Sequence, residues 1–262
     1  MKRYALKIKY NGTNFCGWQI QDNLRTVQDE LEKAIKIFTK QSIRVTASGR
    51  TDTGVHALNQ VVHFDMEDMN EDFDLKRLCI ALNGIMPDDV SVSNAYIVDK
   101  NFHSRFSAVS REYHYKIYNS PLRSPFMKYS AMWVNQPLNI QYISDSLKNI
   151  EGEHDFASFC KKKSANENTI RKIIKTLILQ QDDEIILKIR GNAFLHNMIR
   201  ILVGTIINMY VNDKNPNELM KIFGKKDRNC AGPTAPPYGL YLADIEYPKD
   251  GIVIKAAYSG KL

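Results

Sequence analysis

Apolar and polar side chains alternate from residue 4 to residue 10, with Tyr4, Leu6, Ile8 and Tyr10 set against Ala5, Lys7 and Lys9. A period of two puts one set on one face, so this stretch predicts a half-buried strand. The period then lengthens. Val27, Leu31, Ala34, Ile35 and Phe38 fall on one helical face. Thr26, with Asp29 three residues on, is expected to cap that helix. Residues 43–47 and 61–64 are β-rich and predict two more strands. Residues 73–85 carry Phe73, Leu78, Leu82 and Ile85 and predict a second helix, and residues 90–98 a further strand. The order β-α-β-β-α-β is that of a ferredoxin-like unit.

The second half repeats this order without repeating the sequence. Tyr113, Tyr115 and Ile117 alternate on a strand, and a weaker helical pattern covers residues 140–150. Strands are expected over 173–179 and 185–190. A long helix is expected over 193–210, with Phe194, Met198, Ile201, Leu202, Thr205 and Met209 along one face. A strand over 240–247 closes the order, and a short helix near 217–223 is extra. The expected fold class is α+β: two ferredoxin-like lobes, residues 1–105 and 106–262, sharing an antiparallel sheet with a central active-site cleft. The element order supplies the lobes. The shared sheet and the cleft go beyond what periodicity dictates.

Composition narrows the partners. The 262 residues are 44% hydrophobic and 25% charged, as in an ordinary globular protein. The formal net charge of +7 and the sequence pI of about 9.1 suit a polyanionic partner, although many basic proteins bind no nucleic acid. Cys16, Cys79, Cys160 and Cys230 are scattered, with no C-x-x-C pair and no histidine at zinc-like spacing. They read as reduced thiols. The N-terminus has the alternation of a strand rather than the profile of a signal peptide, and no apolar run is long enough to span a membrane. Cytoplasm is the expected location. The loops over 120–130 and 158–169 are polar, and the second holds Lys161, Lys162 and Lys163. Such a run is either a solvated face or a set of phosphate contacts.

One connection is too long for a simple hairpin. Residues 47–57 read Ala-Ser-Gly-Arg-Thr-Asp-Thr-Gly-Val-His-Ala between two expected strands, and over-long connections of this kind are often functional. Gly49 and Gly54 bracket Arg50, Thr51 and Asp52, allowing backbone angles that other residues resist. The plain alternative is a decorated turn in which Asp52 bonds its own backbone. Other chemistries fit poorly. There is no phosphate-cradling G-x-x-x-x-G-K-[ST], no G-x-S-x-G and no dinucleotide fingerprint after a strand. His56 and His63 lie near Asp52, but no third residue suggests a metal. A lone carboxylate without metal or cofactor points to covalent or electrostatic catalysis. Arg200 is the second anomaly, a charge inside the apolar run Phe194 to Val203. It either snorkels at the polar edge of the helix or pairs with a carboxylate, for which Asp52 is a logical partner. On the expected helix His196 would share its line.

These segments resemble a known family. Gly49-Arg50-Thr51-Asp52-x-Gly54-Val55-His56 is similar to the signature of the TruA family of tRNA pseudouridine synthases. Tyr10-Asn11-Gly12, Gly17-Trp18-Gln19 and Thr26-Val27-Gln28 resemble its N-terminal block. Phe102-His103-x-Arg105-Phe106-Ser107-Ala108 and Arg111-x-Tyr113-x-Tyr115 resemble its central block. Phe194-Leu195-His196-Asn197-Met198-x-Arg200 and Gly239-Leu240-Tyr241-Leu242 resemble its C-terminal blocks. The blocks occur in order over nearly the whole chain. Thr53 departs from the pattern, where alanine is common.

The resemblance implies an isomerase that converts uridine to pseudouridine in the anticodon stem-loop of tRNA, at positions 38 to 40. It implies a homodimer with no cofactor and no required metal. It implies Asp52 as the catalytic aspartate, Arg200 as its paired arginine, Tyr113 as the tyrosine stacked on the target uracil, and Arg50 as an arginine near the flipped nucleotide. Arg105 and the three lysines 161–163 are the expected RNA contacts. Rival readings are a paralogue acting on ribosomal RNA, a non-catalytic protein with tandem RRM-like lobes, and a small-molecule enzyme with a basic surface. Against the second, no RNP1-type aromatic run lies on a central strand.

Overall fold

In the computed structural model, residues 1–67, 74–161, 168–248, 252–259 and 262 are described; Phe73, Lys162 and Lys163 lie outside them. The elements are β1 (Lys2–Tyr10), α1 (Val27–Thr39), β2 (Thr46–Ala47), β3 (His56–Met66), α2 (Leu75–Ile85), β4 (Val90–Val98), β5 (Ser110–Asn119), β6 (Met132–Val134), α3 (Ile140–Lys148), β7 (Gly152–Asp155), β8 (Ile170–Gln181), β9 (Glu184–Gly191), α4 (Met198–Val211), α5 (Glu218–Lys225), β10 (Leu240–Glu246) and β11 (Val253–Ala256). The class is α+β. The chain divides into two compact units: residues 1–109 with 242–262, and residues 110–241.

In the first unit the strands run β11-β4-β1-β3, with β2 on the far side of β3. β1 is antiparallel to both neighbours, Leu6 facing Val62 on one side and Ala95 on the other. Tyr4, Leu6 and Ile8 are fully buried, as the alternation predicts. Ala5 is buried as well, so both faces of this part of β1 are covered. β3 is longer than the expected 61–64 because it pairs with β1 from Met66 back to Ala57. The longer strand takes in His56, Asn59 and Gln60, polar residues that hydrophobic periodicity discounts. β2 is shorter than expected, since only Thr46 and Ala47 pair with β3.

α1 buries Val27, Leu31, Ala34 and Ile35, and a fully buried Leu or Ile contributes about 2 kcal/mol. Thr26 stands at the N-cap but makes no capping bond, and its buried hydroxyl has no hydrogen-bond partner. The tertiary structure has taken over that task. The N–H of Val27 donates to Gly17 O and that of Gln28 to Trp18 O, so another segment satisfies the start of the helix.

In the second unit β5 pairs antiparallel with β9, β9 with β8, and β8 with β7. β6 joins β5 in parallel, Ile117 facing Met132. The sheet is therefore mixed, not purely antiparallel as expected. Tyr115, Ile117, Ile185, Leu187 and Ile189 are completely buried. α4 is apolar nearly all round and buried along most of its length. It starts at Met198 rather than 193, because Asn197 takes a left-handed backbone with φ of 63°. His196 therefore precedes the helix, exposed, and does not share a helical line with Arg200.

Candidate active site

The loop between β2 and β3 spans residues 48–55 and carries Arg50 and Asp52. Its ends are fixed from β3. Ser48 N donates to Val61 O at 2.8 Å, and the Gln60 side-chain amide donates to Gly49 O at 2.8 Å. The Ser48 hydroxyl donates to the other end of the same amide. Gln60 is completely buried, a polar residue that sequence reasoning passed over. The one available signal was an amide next to the apolar pair Val61 and Val62 of β3.

The middle of the loop is held by the first thirty residues. Trp18 N donates to Thr51 O at 3.0 Å, and the Tyr10 phenol meets the Thr51 hydroxyl at 2.8 Å. Gly54 N donates to Phe15 O at 3.3 Å. The Phe15 ring is itself covered by the Arg25 guanidinium, 4.1 Å from its centroid, which is in turn bound by both carboxylate oxygens of Asp89 at 2.7 Å. A tight turn closes from Val55 N to Asp52 O at 3.1 Å. Gly54 sits in it with φ of 78°, as a glycine there should. Gly49 does not need its freedom, since a Cβ there would meet nothing within 4 Å. The glycines that matter are elsewhere. A Cβ on Gly12 would lie 2.0 Å from Val55 O, and one on Gly17, at φ of 87°, 2.7 Å from Thr51 O. Backbone thus packs directly on backbone around Asp52.

His56 is buried, and its Nδ1 accepts the N–H of Gly12 at 3.0 Å. It pins the loop's exit. Among the described residues no three His, Cys, Asp or Glu side chains are grouped to hold a metal ion. Asp52 is half-buried and Arg50 exposed.

Tyr113 and Arg200 belong to the second unit. Tyr113 lies on β5, half-buried, edge-on to Phe194 with ring centroids 5.1 Å apart. Tyr115, two residues on, is completely buried; burial pushes its phenol far above the ordinary range, with the nearby Arg200 charge pulling the other way. Arg200 is half-buried on α4. Its Nε donates to Ala235 O at 2.8 Å and its Nη1 to Asn197 Oδ1 at 2.9 Å, while Ala235 N donates back to Arg200 O at 3.0 Å. The segment bearing Ala235 is seated on α4 by small residues: a Cβ on Gly204 would lie 1.9 Å from Pro233 O. The guanidinium is therefore aimed by two acceptors. Ala235 carries no sequence signal for this role, and Asn197 only its place in the same C-terminal block as Arg200.

Of the expected RNA contacts, Arg105 and Lys161 are exposed, the first in unit one and the second in unit two.

The sequence pattern of a protein family described as tRNA pseudouridine synthase matches residues 7–107 and 147–248. A protein of Pseudothermotoga lettingae named tRNA pseudouridine synthase A is 43% identical over 248 residues, covering 94% of this chain and all of its own. The like-named protein of Halalkalibacterium halodurans is 44% identical over 92% of this chain and 90% of its own. That of Colwellia psychrerythraea is 40% identical over 95% of each. The chain belongs to the TruA family of tRNA pseudouridine synthases. A chain in a crystal structure of a Cbf5-Nop10-Gar1 complex aligns with 77% of this chain and 52% of its own at a TM-score of 0.36 and 12% identity, a likeness too slight to bear on the fold.

The two stretches matched by the tRNA pseudouridine synthase pattern contain every residue that braces the Asp52 loop, together with Arg105, Lys161 and Arg200. Tyr113 lies between them. In this TruA family member the N-terminal block does not stand apart from the Asp52 motif. Tyr10, Gly12, Gly17 and Trp18 are the wall on which that motif is built.

Proposed function

We propose that this protein isomerises uridine to pseudouridine in the anticodon stem-loop of tRNA, at positions 38, 39 and 40, acting as a homodimer in the cytoplasm without a cofactor. The observation that carries the reading is the Asp52 loop, fixed at both ends and in the middle by buried partners, in a chain of the tRNA pseudouridine synthase family. A loop held for its own sake needs no such bracing. The basic surplus of +7 and the absence, among the described residues, of any helix able to cross a membrane are compatible with it.

The reaction breaks the N1–C1′ bond and makes a C5–C1′ bond. The proton leaves C5 and N1 gains one, so nothing is oxidised or reduced. The target base must first leave its stack. In this proposal Asp52 attacks the sugar or the base, or assists proton removal, and Arg200 is the second catalytic residue. Tyr113 stacks on the extruded uracil, Arg50 lies near the flipped nucleotide, and Arg105 with Lys161, Lys162 and Lys163 contacts phosphates. The proposal includes a fold of two ferredoxin-like lobes.

The deciding experiment follows single-turnover pseudouridine formation on unmodified tRNA transcripts and maps the modified position. Asp52→Asn removes the charge at nearly constant shape. Product should fall at least about a thousandfold while tRNA affinity and melting temperature stay near wild type. Near-normal turnover in Asp52→Asn would reject the catalytic role. Product outside 38 to 40 would reject the assigned site. Tyr113→Phe should keep activity and Tyr113→Leu lose it if the ring stacks.

A further inference from the structure

Phe106 is 76% exposed, in a turn held by several hydrogen bonds. His103 Nδ1 accepts the N–H of Arg105 at 3.1 Å and that of Phe106 at 3.3 Å. His103 N donates to Ser107 Oγ and Ser107 N to His103 O, both at 2.9 Å. The turn is tied down from beneath. Ser104 N donates to His63 Nδ1 at 3.2 Å, Ser104 Oγ to Thr46 O at 2.8 Å, and the Tyr247 phenol to Ser104 O at 2.6 Å. Phe102, just before the turn, is buried.

Two neighbours give the exposed ring a chemical character. The His103 imidazole lies 4.4 Å from it, centroid to centroid and tilted by 33°, and the Arg105 guanidinium lies 5.5 Å from its centroid. Burial is the main cause holding His103 below its ordinary range, in keeping with a neutral ring whose Nδ1 accepts hydrogen bonds. Leaving a phenylalanine in water and fixing its backbone gives no folding advantage. It is what a preorganised stacking surface requires. Every nucleobase has a π-face, and a guanidinium beside the ring matches the phosphate that accompanies a base. The turn hangs on Thr46, the first residue of β2, the strand that leads into the Asp52 loop.

We propose that Phe106 is a stacking platform for an unpaired base of the RNA substrate other than the target uracil, with Arg105 beside it meeting the backbone phosphate. This rests on the reading of the protein as an RNA-modifying enzyme.

The test is a titration of the full chain with unmodified tRNA transcript at several salt concentrations, beside a thermal melt, sedimentation and a turnover assay. Phe106→Leu keeps an apolar side chain but removes the π-face, and Phe106→Tyr keeps the ring. Phe106→Leu should weaken binding by roughly five- to a hundredfold with the salt slope and the melt unchanged, and Phe106→Tyr by no more than about threefold. Arg105→Gln should reduce the slope of log affinity against log salt by about one. Full affinity in Phe106→Leu, or equal loss in Phe106→Tyr, would overturn the platform. A changed oligomeric state in Phe106→Leu would also overturn it, marking the ring as a contact between copies. The two readings fail separately. Wild-type protein that binds tRNA through Phe106 but makes no pseudouridine rejects the enzyme reading alone. Active wild type with Phe106→Leu at full affinity rejects the platform alone.

Discussion

The phenol oxygen of Tyr10 lies 2.8 Å from the hydroxyl of Thr51, with both residues buried and 41 positions apart in the chain. The last residue of β1 thereby fixes the residue before Asp52. Tyr10→Phe removes the hydroxyl and keeps the ring. A hydrogen bond of this kind contributes about 1 kcal/mol net, so melting should fall by only a few degrees. Turnover should fall more, by roughly tenfold, because small displacements of a reacting group are costly. Transfer RNA affinity should hold. Thr51→Val should match it, and the double variant should be no worse than either single one. Additive losses would show that the two hydroxyls act apart.

Two glycines offer a direct contrast. An added Cβ meets Val55 O at 2.0 Å on Gly12 and nothing within 4 Å on Gly49. Gly12→Ala must push backbone against backbone, so it should lower the melting temperature markedly and cut pseudouridine formation sharply. Gly49→Ala should be close to neutral in the melt, within about 0.5 kcal/mol. A harmless Gly12→Ala would mean the segments separate in solution.

Arg200 serves Ala235 O and Asn197 Oδ1 with two different nitrogens. Arg200→Lys keeps the charge but has one nitrogen to offer, so the aimed geometry is lost. Single-turnover rates should fall by about a hundredfold or more while the melt shifts by a few degrees. If Arg200→Lys keeps its rate, only charge at this position counts.

His63 gives a pH signature of folding. Burial, aided by the Arg3 charge, pushes its imidazole down to about 4, against an ordinary value of 6.5. The unfolded chain therefore binds a proton between those values that the folded chain refuses. Stability falls as pH drops from about 6.5 toward 4 and is unaffected by this group above that window, by up to roughly 3 kcal/mol in all. Chemical denaturation of wild type and His63→Gln at pH 7.5 and 5 should give a smaller acid loss in the variant. Equal losses would place the acid sensitivity elsewhere.

Local pattern was enough for much of the framework. The alternation at 4–10, the helical stripe from Val27 to Phe38 and the strand at 90–98 each report burial through neighbours two to four residues away, and the structure forms all three elements, with Ala5 buried as well and Phe38 only half-buried. The over-long loop was also legible, because its length and its Arg50-Thr51-Asp52 core stand out against simple hairpin chemistry. Where pattern misled, a distant segment had intervened. Thr26 does not cap α1, because the carbonyls of Gly17 and Trp18 already take the first N–H groups. The helix expected from 193 starts at Met198, because Asn197 turns left-handed before it.

The sequence by itself determined the α+β class, most of the elements, the basic net charge and the family. It marked Asp52, Arg200 and Tyr113 as candidates. Only the tertiary structure decided what holds them: Gly12 and His56 meet across 44 positions, and Arg200 and Ala235 across 35. Residues 242–262 likewise cluster with the N-terminal unit. Periodicity reports which face of an element is buried. It carries no information about which remote carbonyl, ring or glycine will lie against that face, because that depends on how the chain closes on itself.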